Sequence, residues 1–148
     1  MINVGDIFVW RNFPFPYDRR SPIKNRWFVC LGRAPIFEQP LLIYVCTATT
    51  KIQEYEKGNS RHGHKHLRVT GHGFRSECVI DVDYNFYPVE ERTLKSHAQD
   101  VEIKGTLPES DLRQLYDLIR RSSTLSRKVK LDVRDGLRRL GITRLSAP

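Results

Sequence analysis

Leu41-Leu42-Ile43-Tyr44-Val45-Cys46-Thr47 is the stretch on which the fold turns. Its first six side chains form an unbroken apolar run rich in β-branched and aromatic residues, so it reads as a strand buried on both faces. At about a third of the length a membrane-spanning helix needs, it belongs in a core. Working outward, Trp27-Phe-Val-Cys-Leu31 is a second strand closed by Gly32, and Asp6-Ile-Phe-Val-Trp10 is a first strand between Gly5 and Pro14. On the other side, His66–Thr70 and Cys78–Asp83 read as strands four and five, and Val89 with Val101–Lys104 as a last short strand ending at Gly105. The period then changes. Leu112, Leu115, Tyr116 and Ile119 recur at three and four, as on one face of an amphipathic helix. Ser126 is placed to cap a second helix with the stripe Val129, Val133, Leu137 and Leu140, stopped by Gly141. The expectation is an α+β fold dominated by β: a small antiparallel barrel or strongly bent sheet, closed off by one or two C-terminal helices.

Composition narrows the function classes. Of 148 residues, 39% are hydrophobic and 28% charged, too apolar for a disordered chain and too polar for a membrane protein. Cys30, Cys46 and Cys78 lie far apart in apolar surroundings, as reduced thiols do, and Met1-Ile-Asn-Val-Gly-Asp6 lacks the pattern of a secretory leader, so a cytoplasmic location is expected. Net charge is +8, and residues 111–148 carry 10 basic against 4 acidic side chains. Such a domain attracts polyanions, nucleic acid foremost.

Several segments carry a family resemblance. Val4-Gly5-Asp6-Ile7-Phe8-Val9 leads through a Pro-containing loop into Lys24-Asn25-Arg26-Trp27-Phe28-Val29. Val45-Cys46-Thr47-Ala48-Thr49-Thr50 is a Thr-rich strand end, Cys78-Val-Ile-Asp81-Val-Asp83 an acidic strand end, and Lys104-Gly105-Thr106-Leu107 precedes an acidic helix start. Over residues 4–122 this order resembles the PemK/MazF-like toxins. The resemblance implies an SH3-like barrel at 1–122, including its terminal helix, with 123–148 as a basic helical extension. It further implies a homodimer that acts without metal or other cofactor as an endoribonuclease on single-stranded RNA, the toxin of a toxin–antitoxin pair. Matched by position, Arg26, Thr49 (or Thr47 in a shifted register) and Asp83 are the implied catalytic residues. Trp27, Asp81 and Tyr84 depart from the family pattern. They motivate an alternative, a barrel that binds nucleic acid or a protein partner without cleaving.

The chemistry can be stated from the residues themselves. Metal-free RNA cleavage needs a base for the 2′-hydroxyl, a cation for the phosphorane and an acid for the leaving 5′-oxygen. Arg26 suits the cation, since a guanidinium is always charged and grips phosphate in a fork. Thr49 can donate one hydrogen bond, and Asp83 or a histidine must move the proton. The loop from Phe13 to Arg26 interleaves Phe13, Phe15 and Tyr17 with Arg19, Arg20 and Lys24, supplying stacking surfaces and phosphate partners together. In Arg61-His62-Gly63-His64-Lys65-His66 the three imidazoles recur with a period of two, which suits zinc, contact with RNA bases (His64 at the centre) or a solvated loop. Lys65 and Arg61 disfavour a dication there, so no metal is expected.

Overall fold

In the computed structural model, which describes residues 1–15 and 23–148, the chain is an α+β fold built on one seven-stranded antiparallel sheet. Five strands fall where the sequence places them: β1 (Asp6–Trp10), β2 (Arg26–Arg33), β3 (Leu42–Thr49), β4 (His66–Val69) and β5 (Cys78–Asp81). The expected last strand is instead two, β6 (Phe86–Glu90) and β7 (Val101–Thr106), separated by the short helix α1 (Glu91–Ser96). The spatial order is β4-β5-β3-β2-β1-β7, and β6 also pairs with β3. Among the described residues no ladder joins β4 to β7, so the sheet is not closed.

β5 and β6 are successive partners along one edge of β3. Ala48 and Thr49 face Ile80 and Val79, while Leu42 to Cys46 face Glu90 to Phe86. Between them lies a turn at residues 82–85, spanned by the bond from Thr47 N–H to the Asn85 carbonyl. The cause of the interruption is Asp81, whose Oδ1 accepts the backbone N–H of Asp83 (3.0 Å) and of Tyr84 (3.2 Å), as an aspartate opening a turn does.

Alternation along the central strands separates two apolar layers. Ile7, Val29, Leu31, Tyr44 and Cys46 face one cluster; Phe8, Trp10, Phe28, Cys30, Ile43 and Val45 face the other. The first is roofed by α2 (Glu109–Arg121) and α3 (Arg127–Arg139). Leu112, Leu115, Tyr116 and Ile119 are buried as the helical period requires. Ser126 caps α3 by accepting the Val129 N–H.

The 123–148 segment is tied into the main body. Val133, Leu137 and Ile142 are buried in the same cluster as the sheet, each contributing about 1.5–3 kcal/mol of apolar burial. Leu140, expected on that stripe, is half exposed, and Ile142 fills the core instead because Gly141 turns the chain back with φ +88°. α3 crosses β2 where neither backbone carries a bulky group. A Cβ on Gly32 would lie 3.2 Å from Val133 Cγ2, and one on Gly136 3.9 Å from the Gly32 Cα. Asp132, buried on α3, accepts the Tyr44 hydroxyl (2.7 Å) and the Lys128 ammonium (2.8 Å), and Lys128 also pairs with Glu38. Lys130 Nζ donates to the carbonyls of Arg120 and Ser122 at the end of α2.

Candidate nucleic-acid interface

One of the two apolar layers stops at Phe28 and Val45, and the same face of β2 and β3 continues as Arg26, Thr47 and Thr49. Trp27 lies opposite Ala48, so Arg26 and Thr49 meet at the end of the ladder. There the surface opens into a hollow of about 410 Å³. Its cations are Lys24, Arg26, Lys51 and Arg61; Thr47, Thr49, Thr50 and Asn85 supply hydroxyls and an amide. None of the described residues lining it is acidic.

The charges in this hollow are unequally committed. Arg61 pairs with Glu54 (3.2 Å) and hydrogen-bonds Tyr55, which raises the guanidinium's hold on its proton. Lys24, Arg26 and Lys51 have no ion-pair partner among the described residues. Thr49 Oγ1 accepts the Lys51 N–H at 3.2 Å, which leaves its own proton to donate. Three cations without ion-pair partners among the described residues, beside a hydroxyl with a proton to donate, suit a phosphodiester, and no carboxylate among the described lining residues repels one.

The other expected site residues are placed as follows. Asp83 is not among the residues lining the hollow. One of its carboxylate oxygens accepts the Lys65 N–H at 2.6 Å and the other accepts the Ser122 hydroxyl, while its carbonyl accepts the Thr124 hydroxyl at 2.7 Å. It fastens the turn after β5 to the link between α2 and α3. Tyr17, Arg19 and Arg20 lie outside the described residues. Phe13 and Phe15 pack edge-on against Trp10, with Phe13 buried and Phe15 exposed.

The histidine segment is organised through single ring nitrogens. His62 Nδ1 bonds the Tyr55 carbonyl (3.0 Å), His66 Nδ1 the His64 carbonyl (2.7 Å) and His64 Nδ1 the Asp81 carboxylate (2.7 Å). Among the described residues, no three His, Cys, Asp or Glu side chains are grouped to hold a metal ion. Asp81, a position that departs from the family pattern, is wholly buried, and its carboxylate gathers four donors. The Tyr55 hydroxyl donates to its Oδ2 at 2.8 Å, and burial, reinforced by that bond, pushes the phenol upward. His64 lies over the exposed Tyr84 ring, centroids 4.1 Å apart.

The three cysteines are free and buried; burial pushes the Cys30 thiol up to about 12 and Cys46 well above its ordinary value. No helix among the described residues is long and apolar enough to cross a membrane. No protein-family model and no curated protein sequence matches the chain.

Proposed function

We propose that the chain is a metal-independent endoribonuclease of single-stranded RNA, the toxin of a toxin–antitoxin pair, on a small SH3-like barrel left open at one seam. The observation that carries this reading is the hollow in which Arg26, Lys24 and Lys51 have no ion-pair partner among the described residues and stand beside Thr49. The resemblance over residues 4–122 supports it. Arg26 stabilises charge on the phosphorane and Thr49 donates to a non-bridging oxygen; each such contact is worth on the order of a hundredfold in rate. The same reading implies a cytoplasmic homodimer that an antitoxin neutralises.

A second reading, binding without cleavage, draws on Asp83, whose carboxylate oxygens are already engaged by Lys65 and Ser122. One experiment separates the two. The purified protein is incubated with mixed single-stranded RNA in EDTA and the ends are mapped. Fragments with 2′,3′-cyclic phosphate and 5′-hydroxyl termini establish the nuclease; salt-sensitive binding with RNA left whole establishes the binder.

A further inference from the structure

We infer that His64, held by Asp81, is the proton acceptor that RNA cleavage at the neighbouring hollow requires. This rests on the nuclease reading above and supplies a proton acceptor, which the described residues lining the hollow do not include.

The placement of the ring carries the argument. A carboxylate accepts but does not donate, so the 2.7 Å contact with Asp81 fixes the hydrogen of a neutral His64 on Nδ1. Nε2 is then bare and basic. Asp81 is itself immobilised by Tyr55 and by the Asp83 and Tyr84 N–H groups, so the imidazole is held by a partner that cannot swing away. Tyr84 lies tilted against the ring, and the His64 side chain keeps 21% of its surface exposed.

The histidine and the hollow are connected. The His64 N–H bonds the Arg61 carbonyl (3.1 Å), which sets His64 one tight turn from an arginine lining the hollow. The Asn85 N–H, on another wall, bonds the Asp81 carbonyl (3.3 Å). Arg61 also reaches Asp81 through Tyr55. One buried carboxylate thus stands between Arg61, a cation of the hollow, and the imidazole.

In the step that follows, His64 Nε2 takes the 2′-hydroxyl proton while the 2′-oxygen bonds to phosphorus. The bond from phosphorus to the 5′-oxygen breaks, and that oxygen takes a proton from water. The resulting hydroxide is neutralised by the proton on His64, which restores the neutral ring. The titratable and charged groups around the ring are Asp81, Tyr55 and Arg61 on one side, Tyr84 beneath, and Lys65, His66 and Asp83 along the chain.

The test uses the full chain and a labelled single-stranded RNA in EDTA, with cleavage followed across pH and binding by anisotropy. His64→Ala is expected to slow cleavage at least about a hundredfold while changing binding less than about threefold. It should also remove the acidic limb of the pH–rate profile, and added imidazole should restore part of the rate. His64→Gln, which keeps a hydrogen bond to Asp81, is expected to behave alike and serves if the alanine variant misfolds. Asp81→Asn, the test of the positioning residue, is expected to shift the pH profile, whereas a merely structural role would lower the rate equally at every pH. Wild-type cleavage that survives His64→Ala and His64→Gln with its pH profile intact overturns the assignment and leaves the nuclease reading standing. Parallel loss of binding and cleavage also overturns it, making His64 an RNA contact. RNA left uncut by the wild-type protein overturns both.

Discussion

Replacing Arg26 with alanine probes the hollow most directly. Lys24, Arg26 and Lys51 lack ion-pair partners among the described residues, whereas Arg61 is shared with Glu54. On a single strand each phosphate neutralised contributes about 0.7 to the slope of log affinity against log salt. Three such contacts give a slope of about −2, and Arg26→Ala should reduce it to about −1.4. At about 0.1 M salt this corresponds to roughly fivefold weaker binding. Cleavage should fall further, by on the order of a hundredfold, because the guanidinium also meets charge that develops in the transition state. Arg26→Lys should keep the slope and lose most of the rate, since an ammonium cannot make the two-pronged contact. Fluorescence anisotropy of a labelled RNA across a salt series reads the slope, end-labelled cleavage reads the rate, and circular dichroism melts verify that the variants fold. A slope and a rate both unchanged in Arg26→Ala would refute the claim that this hollow is where RNA sits.

Further outcomes follow from packing and burial. A Cβ on Gly105 would lie 1.8 Å from the His72 carbonyl oxygen, so Gly105→Ala should cost about 3 kcal/mol or more in denaturant melts; Gly63→Ala, with nothing within 4 Å, should stay within about 0.5 kcal/mol. Leu137→Ala should cost about 3 kcal/mol and lower the single melting transition of the whole domain; a separate early transition would show that α3 is an independent appendage. The fold holds the Cys30 thiol proton to about pH 12 against an ordinary 9.0, and the Tyr44 hydroxyl proton to about 12 against 10.0. The unfolded chain therefore loses these protons first. Their contribution to stability should be constant below pH 9.0 and then fall up to about pH 12, by at most about 1.4 kcal/mol per pH unit for each group. Denaturation midpoints that stay flat between about pH 8 and about pH 11 would contradict this.

The first five strands and both long helices are legible in the sequence because each carries its own period and its own stop: Gly5, Gly32, the cap at Ser126, the turn at Gly141. β6 is harder to see. Pro88 reads as a breaker, but β3 is the partner it faces, opposite Tyr44, and a strand with a free side can place a residue lacking an N–H there. The meeting of Arg26 with Thr49 follows from pairing the two most apolar strands. Asp81 could not have been found this way. Its partners Tyr55 and His64 lie 26 and 17 residues upstream, and an aspartate in an alternating strand reads as solvent-facing until the 3-10 turn at Ile52–Tyr55 is seen to cover it. Asp83 is obscured in the same manner, since Ser122, which engages its carboxylate, lies 39 residues downstream.

Asp83 ties together two regions that a linear reading keeps apart. Through Ser122 and Thr124 it moors the joint of the helical pair, and through the Lys65 amide it moors the chain immediately after His64. Any displacement of the joint between α2 and α3 therefore strains the contact that fixes the residue next to His64, giving the molecule a short mechanical line between its helical pair and its imidazole.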